Sequence, residues 1–103
     1  MTKQIWFRKN GKQAWVVLDG AQSWKWHDAD NREHQCLYYT KTKRWILGSW
    51  RFVMQEEEHN EISENQAITW FRKKEMKMDA PFHIYEVIKE QEHQEWLKEK
   101  PQD

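Results

Sequence analysis

With 103 residues, 38% hydrophobic and 33% charged, the chain has the size of one domain and lacks the composition of a disordered one. No apolar run approaches the ~20 residues of a membrane helix, the N-terminus lacks the apolar core of a signal peptide, and the lone Cys36 excludes an intrachain disulfide. Net charge is zero but uneven: residues 1–52 carry ten Lys/Arg against four Asp/Glu, and residues 53–103 carry seven against thirteen. A basic half suggests nucleic acid; the plainer reading is lysine on sheet edges and glutamate on helices.

The expectation is a single domain over 1–103, cytoplasmic and without a membrane partner. Its apolar content sits in rings: eight Trp, four Phe and three Tyr. Each ring buries ~150–250 Å², so a few build a core in a chain with little leucine.

In chain order, Asn10-Gly11 lies between Ile5-Trp6-Phe7 and Trp15-Val16-Val17-Leu18, a strong hairpin signal because a type I′ turn needs positive φ at both central residues. Asp19-Gly20 repeats the signal and leads into Ala21-Gln22-Ser23-Trp24-Lys25-Trp26. Two such turns in succession predict a three-stranded meander. A polar stretch, His27 to Glu33, interrupts it. Cys36-Leu37-Tyr38-Tyr39 and Arg44-Trp45-Ile46-Leu47 form a further hairpin across 40–43. The last strand runs on toward Trp50-Arg51-Phe52-Val53, with Gly48 as a bulge or bend.

Residues 55–62 read as a charged loop. Ser63 and Gln66 have capping-box spacing, and Ala67, Ile68, Trp70 and Phe71 then share one arc of a helix. Lys73-Lys74 suit its C-terminal end. Asp79-Ala80-Pro81 reads as a second helix start, with Asp as cap and Pro in the first turn. Phe82, Ile84, Tyr85, Ile88 and Trp96 are expected on its apolar face, with Val87 and Leu97 off it. Residues 100–103 are expected to fray. The fold class is therefore α+β: a four- or five-stranded antiparallel meander over about 3–54, then helices at about 63–75 and 81–98.

Two-residue loops at 10–11 and 19–20 would set Trp6, Trp15 and Trp24 in one row across three strands, with Trp26 one step along and Arg8 on the same face. The opposite face would carry Ile5, Phe7, Ala14, Val16, Leu18 and Ala21. An open Trp face is the kind of patch that marks a partner site; the competing reading makes it the core, covered by the helices.

His27, Asp28, Asp30 and His34 are the candidate metal ligands, but their spacing matches no ligand signature. An EF-hand reading fails because Glu33 stands where the loop glycine belongs. Cys36 alternates with Tyr38 as a buried strand residue would, and no phosphate loop or nucleophile motif is present. No catalytic residue and no cofactor is indicated. The expected function is a non-catalytic module that binds another protein through Trp6, Arg8, Trp15, Trp24 and Trp26, a regulatory or inhibitory accessory role. Homodimerisation through the same face is also open. The alternative is single-stranded nucleic-acid binding by stacking rings and the basic half. A metal or enzymatic site at His27–His34 is a minor third.

Overall fold

A computed structural model describes residues 4–9, 12–30, 32–51 and 58–99, with the side chains of 6–9, 13 and 51 left aside. The architecture is α+β. Six strands come first: β1 (Gln4–Lys9), β2 (Lys12–Val17), β3 (Gln22–Asp28), β4 (Glu33–Tyr39), β5 (Trp45–Arg51) and β6 (Glu58–Ile62). Helix α1 (Glu64–Lys73), a 3-10 turn (Lys77–Asp79) and helix α2 (Phe82–Glu99) follow. The chain divides into two compact units, Met1–Ala67 and Ile68–Asp103.

The first unit is not one continuous meander. β1 and β2 make a two-stranded sheet, and β3-β4-β5-β6 make a four-stranded antiparallel sheet. The first hairpin keeps the expected register, with Trp6 opposite Trp15 and Lys9 opposite Lys12. Asn10 and Gly11, which join the strands, lie outside the described residues.

The second turn departs from expectation. Ala21 donates its N–H to the Leu18 carbonyl at 2.9 Å, so the chain does reverse across Asp19-Gly20. Gly20 has φ 72°, but Asp19 is not in the positive-φ region, so the turn is not type I′. A turn with only its second central residue at positive φ splays the flanking strands instead of matching their twist. β2 and β3 therefore separate into different sheets, and the row Trp6–Trp15–Trp24 is broken.

The corner wraps both sheets around one apolar interior. Val16, Leu18 and Ile46 are buried together, with Ile5, Ala14, Ala21 and Tyr38 packed against them. The β2 residues are the even-numbered ones that the pairing argument assigned to the core face, and Trp15 and Val17 between and beyond them are exposed. The backbone of β1 runs beside β6, so the two sheets also approach at that edge.

The polar stretch after Trp26 is a hairpin turn rather than an interruption. β3 continues through Asp28, which stands opposite Glu33, and Asp28 Oδ1 accepts the Asp30 N–H at 3.0 Å. Gly48 sits in regular register between Cys36 and His59, so it marks no bulge. At the 40–43 turn, buried Thr40 accepts the Arg44 N–H on its hydroxyl at 3.0 Å and pairs with the Thr42 hydroxyl at 3.0 Å.

The expected loop 55–62 contains strand β6 from Glu58 onward. Its composition, Glu-His-Asn-Glu-Ile, has poor strand propensity, and pairing with β5 overrides it. Arg44 is bound by Glu61 at 2.8 Å, and that hydrogen bond holds the guanidinium above its ordinary pKa. Residues 52–57 and 100–103 lie outside the described residues.

The capping box is present as expected. Gln66 donates its N–H to Ser63 Oγ at 3.1 Å, and Ser63 donates its N–H to Gln66 Oε1 at 2.8 Å. Ala67, Ile68, Trp70 and Phe71 are all buried. In the second unit, Arg72 on α1 reaches Gln91 and Glu95 on α2, and Lys77 reaches Glu92.

α2 starts two residues later than a cap at Asp79 requires. Asp79 lies in the 3-10 turn, and the Pro81 carbonyl accepts from Ile84 and Tyr85. Ile84 and Ile88 are buried, whereas Phe82 and Trp96, expected on the same face, are exposed. At about 100° per residue, Phe82 lies about 120–160° around the helix from Ile84 and Ile88, and Trp96 about 80–120°, so the buried stripe is narrower than the broad face expected from sequence.

Candidate functional site

Ladder pairing decides which side chains of the four-stranded sheet meet. His27 stands opposite His34, and His34 opposite Trp50. One step along, Lys25, Cys36, Gly48 and His59 form a row, and the next row holds Ser23, Tyr38, Ile46 and Glu61. Alternation places all of these on the face that carries Ile46 and Tyr38 into the interior.

The rows differ in bulk. The first is a ladder of flat rings: His34 stacks on Trp50 at 4.9 Å with planes 11° apart, and His27 lies 6.4 Å from His34 at 23°. The middle row is low, because Gly48 brings no side chain and Cys36 is small and buried. Beyond it, Tyr38 rises, with the His59 ring 6.5 Å away. Along β3 and β4, beside the small Cys36, lies a groove of about 460 Å³, lined by Lys25, Trp26, His27, His34, Gln35, Cys36 and Tyr38. That volume lies within the ~300–1,000 Å³ of small-ligand sites.

Among the described residues no carboxylate belongs to this lining, whereas Lys25 and two imidazoles do. The groove therefore suits an electron-rich or anionic group, with Lys25 supplying fixed charge and the rings supplying stacking surface.

The residues singled out from sequence scatter. Trp6 and Arg8 have side chains outside the described residues, although the backbone sets Trp6 opposite Trp15. Trp15 is 57% exposed, on the side of β2 away from the interior. Trp24 pairs with Leu37 and leans on Trp45 at 5.9 Å, and Tyr39 stacks on the same Trp45 at 4.3 Å, all on the sheet face opposite the groove rows. Trp26 shares Trp24's face and is half-buried.

Of the candidate ligands, His27 and His34 meet, Asp28 alternates to the other face, and Asp30 sits exposed in the turn. Among the described residues no group of three or more His, Cys, Asp or Glu is arranged to hold a metal ion. Trp50 and His59 escaped the sequence reading, in which Lys25 counted only as one cation of the basic half. The signal for the groove is the alternation His34, Cys36, Tyr38, which puts all three on one side of β4; His59 depended on strand β6.

Comparison with protein families, with curated proteins and with solved structures finds no match. Among the described residues, no helix is long and apolar enough to cross a membrane.

Proposed function

We propose that this chain is a non-catalytic binding module that takes the bases of a single-stranded nucleic acid in the groove of the four-stranded sheet. The observation that carries this reading is the His27–His34–Trp50 ring ladder standing beside a groove whose described lining holds Lys25 and no carboxylate. A base stacks on any flat ring regardless of sequence, and a lysine neutralises a neighbouring phosphate. The +6 balance of residues 1–52 adds a favourable field. The buried lone thiol fits a reducing, cytoplasmic setting.

Intrinsic tryptophan fluorescence, titrated with a short single-stranded oligonucleotide at several salt concentrations, tests it. Binding is expected to weaken steeply with salt, and His27→Ala, at the end of the ladder, is expected to lower affinity by ~1–3 kcal/mol, the usual worth of one stacked base. Absence of binding at low salt, or binding untouched by both His27→Ala and Lys25→Ala, would refute it.

A second reading rests on a different observation. Trp15 and Val17 are exposed together on the outward side of β2. Exposed aromatics of this kind anchor protein partners, and Trp15→Ala then removes partner binding while leaving oligonucleotide binding intact.

A further inference from the structure

Two rows of the groove face supply different chemistry along the same pair of strands. His27 stands opposite His34, and two residues along each strand Lys25 stands opposite Cys36. Two residues of strand cover about 6.6 Å, and both rows project from the same face. Between them lie Trp26 and Gln35. They line the groove although their side chains alternate to the other face, where Gln35 donates to Glu33 at 3.3 Å. The floor between the two rows is therefore main chain.

Charge is placed as unevenly as the rings. Lys25 is exposed, and its row continues through Cys36 and Gly48, neither of them a carboxylate. Asp28 and Glu33, beside the ladder, alternate to the other face. Glu61 shares the groove face, but it lies on β6, three strands across from β3, and is bound to Arg44 at 2.8 Å. Within the described lining Lys25 is thus the one fixed charge. The groove offers one cation and one ring-bearing end, set apart by about the span of a single sugar. At ~30 Å³ of liquid for each water displaced, 460 Å³ corresponds to roughly fifteen water-sized groups, room for one base with its sugar and phosphate and too little for a second such unit.

We propose that the groove is a single-nucleotide site, with the base against its His27–His34 end and that base's own phosphate against Lys25. The ligand chemistry is a base and a phosphate joined through one sugar, free as a nucleoside monophosphate or as one unit of a strand. This rests on the reading of the groove as a base-binding site, and adds the size of the unit bound and its orientation. The other phosphates of a strand are left to cations of the basic half outside the groove.

Amide chemical-shift titrations of the full chain by two-dimensional NMR test the site. The probes are adenosine monophosphate, adenosine, inorganic phosphate and a short single-stranded oligonucleotide. The monophosphate is expected to shift the amides of residues 25–27 and 34–36. It is expected to bind about fivefold tighter than adenosine, the upper worth of an exposed charge pair. Lys25→Ala is expected to erase that difference, and His27→Ala to weaken monophosphate and nucleoside alike. Both positions are exposed, and unchanged amide shifts away from the groove confirm a folded chain. Lys25→Ala is also expected to lower the salt slope of oligonucleotide binding by about 0.7, the worth of one phosphate contact. If the oligonucleotide binds but the monophosphate binds no tighter than adenosine, the single-nucleotide site is overturned while base binding stands. The same follows if the preference survives Lys25→Ala, or if inorganic phosphate binds as tightly as the monophosphate. If neither oligonucleotide nor monophosphate binds, both readings fall.

Discussion

Asn10-Gly11 links β1 to β2, and the strands remain in one ladder from Lys9 opposite Lys12 to Gln4 opposite Val17. Asp19-Gly20 sits at the centre of the four-residue connection from β2 to β3, and the strands part into different sheets. The two dipeptides carry the same local signal. What separates them is the surroundings: Leu18 and Ala21, on either side of the second turn, both pack into the interior with Ile46 on β5. A turn whose flanking residues are recruited to a core across a second sheet becomes a corner. Reversal of the chain is thus a local property of Gly-containing turns, whereas the ladder beyond the turn depends on burial elsewhere.

The comparison can be broken most severely at the interior. Ile46 is completely buried and is the β5 residue against which Val16 and Leu18 pack. Ile46→Ala is expected to cost ~2–5 kcal/mol of unfolding free energy, through lost burial and a cavity that the two sheets cannot both close. Chemical denaturation measures it, and a loss below about 1 kcal/mol, as at a surface position, would mean that the corner is not organised around this residue.

The corner itself comes next. Gly20 holds φ 72°, and a Cβ placed there would run into the Lys41 side chain. Lys41 is flexible and can withdraw, but the backbone cannot, so Gly20→Val is expected to cost ~1–3 kcal/mol from the backbone strain. Lys41→Ala in the same background relieves only the side-chain contact. Full recovery in that double variant would show that φ at position 20 is not the constraint.

The smallest effect belongs to the first hairpin. Trp15 faces outward, so Trp15→Ala removes no core packing and is expected to cost ~0.2–1 kcal/mol, the usual worth of a cross-strand position. A melting temperature lowered as far as by Ile46→Ala would place Trp15 in a core and undo the assignment of inner and outer faces.

Much of the fold was legible in the residues because its determinants are local. The Ser63–Gln66 box, the even-numbered core face of β2, the hairpin about 40–43 and the buried arc of α1 all follow from spacing alone. The failures share a cause. β6 has no strand propensity of its own and forms because β5 offers an edge. The α2 face was drawn too wide because exposure of Phe82 and Trp96 depends on which side Arg72 and Lys77 tie down through Gln91, Glu95 and Glu92. The groove was half legible. His27 and His34 stood out as a histidine pair, but their stacking on Trp50 follows from the β4–β5 register, which no turn signal specified residue by residue.

The separation of the tryptophans into two sheets is the point on which the placement of the groove turns, and proton–proton nuclear Overhauser effects between assigned aromatic rings measure it directly. Cross-peaks are expected between the rings of Trp24 and Trp45 and between those of Tyr39 and Trp45, whose centroids lie 5.9 and 4.3 Å apart. None is expected between Trp15 and Trp24. A Trp15–Trp24 cross-peak, with the Trp24–Trp45 peak absent, would restore the three-strand row and contradict the corner at Asp19-Gly20.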